Sequence, residues 1–205
     1  MFSDKRELSN EEEAPQRYQA ILESAAKVIC ARGYDGASMQ EIAQACGITK
    51  AGLYHHVDSK EKLLLAIMNY GMDLFEEQVI AKVIDIADPL ERLKACMVRN
   101  IKLVTSGSSK EVTIILHEHD TLTGHARREM NARKKKYVHF LESAFREAMR
   151  RGQIRRIDPT LAAFSFLGSV LWTYKWYRPH GRLSEDQVAN GMVDLFFRGL
   201  MAWRQ

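Results

Sequence analysis

The chain has 205 residues, 46% of them hydrophobic and 27% charged, with a net charge of +4, enough for one or two modest domains with real cores. No apolar run is long enough to cross a bilayer, the opening M-F-S-D-K-R-E-L-S-N-E-E-E lacks the apolar stretch of a signal peptide, and Cys30, Cys46 and Cys96 form no C-x-x-C pair; these features argue against a membrane span, a disulfide framework and a thiolate zinc site, and a cytoplasmic protein is expected. The charge permits a polyanionic partner without demanding one, because the first sixty residues carry seven Lys and Arg against nine Asp and Glu, so a claim on nucleic acid must rest on geometry.

With 4 prolines, 12 glycines and no strand-like alternation, the expected fold is all-α. Residues 1–14 are polar and acidic without an apolar stripe and read as a flexible arm. Ile21, Leu22, Ala25, Val28 and Ile29 then recur at helical spacing up to Arg32-Gly33. Ser38 stands three residues before Glu41, a capping-box spacing, and opens a short helix that Gly47 stops. Thr49 can cap a second short helix carrying Leu53, Tyr54 and Val57. Asp58 and Glu61 suggest another capping box, opening a long helix over 60–83.

Downstream, Asp88-Pro89 with Glu91 and Asp158-Pro159 place proline at a first helical position, and Ser184 with Gln187 repeats the box. Helices are predicted near 89–105, 109–119, 125–151, 159–177 and 185–203. The chain therefore divides into the arm, a three-helix domain over 15–59 and a helical bundle over 60–205.

Between residues 38 and 63 the order helix, glycine, turn, short helix is that of a helix-turn-helix, whose second helix enters the DNA major groove. Ile42, Ala43, Ile48 and Leu53 can fasten the pair, while Thr49, Lys50, Tyr54, His55 and His56 offer hydroxyls, a cation and imidazoles, and Gly52 permits close backbone approach. Thr49, Leu53, Tyr54, His56, Val57, Lys60, Glu61 and Leu63 follow the pattern T-x-x-x-L-Y-x-H/Y-F/V-x-x-K-E-x-L, and here the sequence resembles the TetR/AcrR family of transcriptional regulators. The resemblance implies that Ser38 touches a phosphate, that Thr49, Lys50 and Gly52 face bases, that Tyr54 and His56 grip the backbone and that Lys60 neutralises a further phosphate. His56-Val57 stands where many relatives carry tyrosine and phenylalanine. Taken singly, Leu53 and Tyr54 also suit a core, and Lys60 a solvated helix start.

One such head reads few base pairs, so two must be held about 34–36 Å apart in successive major grooves, which implies a homodimer on double-stranded operator DNA. The helices near 159–177 and 185–203 are apolar on more than one side; Phe164, Leu167 and Leu171 of the first with Met192, Leu195, Phe196 and Leu200 of the second are the expected interface, with Trp203 beyond them.

The run W-T-Y-K-W-Y-R-P-H-G-R-L-S from Trp172 resembles the W-x-x-x-W-Y-R-P-x-G-x-L-S element of a TetR/AcrR branch that controls fatty-acid and steroid catabolism and answers to acyl-CoA thioesters. That resemblance, extended back through Leu116, His117 and Glu118, makes His117, Trp172, Trp176 and Arg178 the candidate ligand-binding residues. Four apart, the tryptophans can line an apolar tunnel or stack an adenine, and Arg178 can hold a phosphate or carboxylate; the alternative is that the tryptophans are interface core and Arg178 complements the helix dipole. Arg127, Arg128, Arg133, Lys134, Lys135 and Lys136 form a basic cluster that fits a solvated face or polyphosphate docking.

His117 and His119 are two apart and diverge by about 200° on a helix, so they cannot chelate a metal together. No nucleophile elbow, P-loop or dinucleotide glycine pattern occurs. No catalytic residue, metal or cofactor is therefore expected. The reading is a ligand-responsive repressor; the alternatives are a DNA-binding regulator whose bundle holds a protein partner and, more remotely, a small helical enzyme.

Overall fold

The computed structural model describes residues 4–106, 110–118 and 120–200, with side chains from residue 15 onward. Its elements are α1 (Asp4–Arg32), α2 (Met39–Ala45), α3 (Lys50–His56), α4 (Lys60–Phe75), a π-helical turn (Glu76–Ile80), α5 (Ala81–Val83), α6 (Pro89–Thr105), α7 (Lys110–His117), α8 (Gly124–Arg150), α9 (Pro159–Leu171), α10 (Thr173–Trp176) and α11 (Glu185–Arg198). No β-strand occurs among the described residues, and none of their helices is long and apolar enough to cross a membrane.

Most starts are local. Asp88 Oδ1 accepts from Glu91 N at 2.9 Å, Asp158 Oδ1 from Leu161 N at 2.8 Å, and Ser184 with Gln187 closes a full capping box. The start of α4 differs from the sequence expectation. Ser59 Oγ accepts from Lys62 N at 3.1 Å and Asp58 pairs with Lys62, while Glu61 Oε1 accepts from both Thr123 N and Thr123 Oγ1 at 2.8 Å. The carboxylate that suits a box is taken by a residue 62 positions away.

At its other end, the long helix expected over 60–83 is interrupted by the π-turn, whose one extra residue per turn leaves no clear mark on apolar spacing. Helix α1 starts at Asp4, inside the segment expected to be an arm; a glutamate-rich run has good helix propensity, and apolar periodicity cannot register it. The helix predicted over 159–177 ends at Leu171 with Trp172 as its cap, followed by the short α10. Trp203 lies outside the described residues.

The chain forms two compact units, residues 1–71 with 109–130, and residues 72–108 with 131–205. The division falls inside α4 and α8 rather than at 59/60, because α7 and the start of α8 pack with the head. In the first unit Ile21, Leu22, Ala25, Ala26 and Ile29 of α1 are buried with Ile42, Leu53, Leu63, Ile67 and Ile115. In the second, α6 packs against α9 and α11. Phe145, Phe166, Phe196 and Phe197 form an aromatic cluster there, with ring centroids 5.1–6.4 Å apart.

Candidate functional site

The helix-turn-helix is assembled by short-range bonds. Ser38 Oγ accepts from Glu41 N at 3.1 Å and Glu41 Oε2 accepts from Ser38 N at 3.0 Å. The Ser38 hydrogen bonds hold the Glu41 carboxyl below its usual range. Gly47 takes φ +67°, a left-handed conformation that a side chain would strain, and the chain turns into α3. Thr49 Oγ1 caps α3 by accepting from Gly52 N at 3.0 Å. A Cβ on Gly52 would stand 3.2 Å from that oxygen, so glycine keeps the cap unstrained as well as the surface low.

Leu53 is fully buried and fixes the roll of α3. Thr49, Lys50, Tyr54, His55 and His56 are consequently exposed among the described residues, placing a cation, hydroxyls and imidazoles on the surface. The His56 ring stands 6.2 Å from Tyr18 of α1. The Lys60 ammonium lies 4.4 Å from the Tyr34 ring centre and 3.5 Å from the Asp35 carbonyl, which steadies it at the border of the same head.

In the second unit, α9 and α11 each leave apolar side chains bare. Leu161 and Phe164 are 58% exposed, Trp172 is 64% and Leu195 is 76%. Leu161, Phe164, Gly168 and Trp172 follow one another at three- and four-residue steps, a single helical face. Leu171, Met192 and Phe196 are half-buried beside it. Leu167 and Leu200, expected on the interface, are instead buried in the unit's own core; both fit the same apolar periodicity, which cannot tell inner from outer faces.

Two hollows in the same unit bear on ligand binding. One, of about 200 Å³, is bordered by Trp176, Tyr177, Arg178, Arg182, Leu183 and Val188. Arg178 donates there to the carbonyls of Lys175 and Tyr177 at 3.2 and 3.0 Å. Trp172 and Trp176 both face outward, so the expected interior tunnel is not lined by them. The other hollow, of about 370 Å³, lies beside the π-turn, with Met72, Ile80 and Ile84 as apolar walls, the Tyr137 ring behind, and Arg133 and Lys136 on its edge. The sequence marks only its border, through Arg133 and Lys136 of the basic cluster, because the hollow itself exists only where the π-turn meets α8.

His117 is exposed in the first unit, apart in the chain's organisation from the tryptophans. No group of three His, Cys, Asp or Glu able to hold a metal occurs among the described residues; His119 lies outside them.

Residues 21–67 match the family described as bacterial regulatory proteins, tetR family, and residues 87–200 match the tetracyclin repressor-like C-terminal domain. The chain belongs to the TetR family. Among curated relatives, the HTH-type transcriptional repressor KstR2 of Rhodococcus jostii is 30% identical over 196 residues, 90% of this chain and 91% of that protein. Two solved structures are more similar. AibR in complex with isovaleryl coenzyme A and operator DNA is 67% identical with a TM-score of 0.84, covering 87% of this chain and 97% of that one. Apo AibR is 63% identical with a TM-score of 0.81, covering 90% and 98%. These relatives are transcriptional regulators, and the chain is one of them rather than an enzyme.

Proposed function

We propose that the protein is a cytoplasmic repressor that grips a palindromic operator as a homodimer and lets go when an acyl-CoA thioester binds its second unit. The observation that carries the operator and the effector class of this reading is the likeness at 67% identity to AibR bound to isovaleryl coenzyme A and operator DNA; release as the direction of the response rests on the retardation experiment below. The exposed surface of α3 supports it chemically. Thr49, Lys50 and Gly52 are assigned to base edges, and Ser38, Tyr54, His55, His56 and Lys60 to the phosphate backbone around them.

The bare face of Leu161, Phe164, Trp172 and Leu195 is assigned to the partner subunit, with Leu171, Met192 and Phe196 at its border. A patch of that kind on a soluble helix pair calls for a cover, and two copies joined through it would form an intermolecular four-helix bundle. Trp176 and Arg178, which border a hollow about the size of a short acyl group, are assigned to the effector.

Release then needs only a bias between two packings, one whose heads fit neighbouring major grooves and one whose heads do not. A coupling of about 1–3 kcal/mol weakens operator binding roughly 5–150-fold. Replacing Lys50 and Tyr54 together by alanine is expected to abolish retardation of a palindromic promoter fragment while the dimer stays intact. Isovaleryl-CoA and other short-chain thioesters are expected to reverse retardation of the wild-type complex. Unchanged retardation by the double variant would remove α3 as the reading helix, and indifference to the whole thioester panel would remove the effector class.

A further inference from the structure

The six-residue basic cluster of α8 does not act as one patch. Arg127 pairs with Asp120 at 3.2 Å. Arg133 is clamped between Asp73 and Glu76, at 2.6 and 2.9 Å, one helical turn apart at the start of the π-turn. Lys136, one turn further along α8, is exposed on the edge of the 370 Å³ hollow. Apolar walls, an aromatic ring and two cations on one edge are therefore gathered beside a π-turn, an element that recurs at functional sites.

Resting on the reading of an acyl-CoA effector, we propose that this hollow seats the nucleotide end of the thioester, and that a phosphate of the nucleotide competes with Asp73 and Glu76 for Arg133. The volume equals roughly a dozen waters, room for an adenosine but not for the whole carrier. Met72, Ile80 and Ile84 offer the flat faces of a heterocycle an apolar slot. Arginine is the side chain best shaped to hold a phosphate through two parallel donors.

The carboxylates are what give the site a direction. Around Arg133 and Lys136 the charges nearly cancel, so an anion enters by exchange rather than by simple attraction. A terminal phosphate carries about −1.5 to −2 charges and outbids a single carboxylate. Exchange frees Glu76, the first residue of the π-turn, so that occupancy is felt directly by the helix it begins.

Titration calorimetry on the full-length protein tests this with three probes: isovaleryl-CoA, adenosine 3′,5′-bisphosphate, and S-isovaleryl pantetheine, which lacks the nucleotide. Lys136→Ala is expected to weaken the first two about tenfold, the size of a lost charge-assisted hydrogen bond, and to leave the third unchanged. Glu76→Gln is expected to tighten the first two severalfold by removing a competitor, a sign that a merely structural residue would not produce. Both side chains are exposed, so folding is not at stake. If isovaleryl-CoA binds and both variants behave as wild type, or change the pantetheine thioester equally, the nucleotide assignment falls while the repressor reading stands. If the wild type binds no thioester, the effector class falls and takes this site's ligand with it.

Discussion

Glu111 of α7 is 1% exposed, and its Oε1 has no hydrogen-bond partner among the described residues. Burial pushes its carboxyl above the ordinary 4.5, with Glu23 adding to the rise and Lys27 and Lys110 opposing it. The folded chain therefore holds this proton more tightly than the unfolded chain does. Below pH 4.5 the group costs nothing, and the cost grows as pH rises towards and past the folded value. Glu111→Gln removes the charge, so its melting temperature relative to wild type should climb between pH 5 and 8, by about 2–4 °C for each kcal/mol recovered. A difference that stays flat with pH would show that the carboxylate is not the source of strain. Glu41 and Glu61 have the opposite sign: hydrogen bonds from Ser38 and Thr123 hold their carboxyls low, so their contributions are present at neutral pH and fade as pH falls through the folded values. Only Glu41 is legible in the local sequence, through Ser38 three residues before it; Glu61 and Glu111 owe their environments to residues 62 and up to 88 positions away.

At the scale of helices, what the sequence reveals is what is decided within a turn or two. Ser38, Thr49, Asp88, Asp158 and Ser184 cap the helices their spacing predicts, because a cap needs only residues three apart. The Asp58 and Glu61 spacing misleads for the complementary reason, since a distant Thr123 competes for the same carboxylate. The exposed face of α3 was readable because buried Leu53 and exposed Lys50 and Tyr54 share one short helix. The outer face of α9 and α11 was readable only in part: apolar residues line more than one side of each helix, and tertiary packing alone sends Leu167 inward and Phe164 outward. Leu195, the barest of them, is the sharpest probe of that face. Leu195→Glu should convert the dimer to a monomer in light scattering and cost operator affinity about 100-fold or more, the loss of linked binding by a second head. A dimer that persists with unchanged affinity would take the face out of the subunit contact.

For the whole molecule, the two compact units place α7 and the start of α8 with the head, a grouping that chain order hides because those segments follow α6 of the other unit. The cue lies in contacts such as Glu118 Oε1 accepting from Tyr34 N at 3.2 Å and Asn69 donating to Glu129 at 2.8 Å, which join residues 84 and 60 positions apart. A repressor divided in this way works only if effector and operator bias one shared equilibrium, and thermodynamics then demands reciprocity. If isovaleryl-CoA is the effector, as proposed, whatever factor it takes from operator affinity the operator must take from isovaleryl-CoA affinity, so a 20-fold loss in one should appear as a 20-fold loss in the other. Titrating the thioester into free protein and into the preformed operator complex measures the second factor, and retardation with and without thioester measures the first. An effector affinity blind to bound operator would mean that the thioester, even if it binds, does not choose between DNA-fitting and DNA-misfitting arrangements, and release would need another cause.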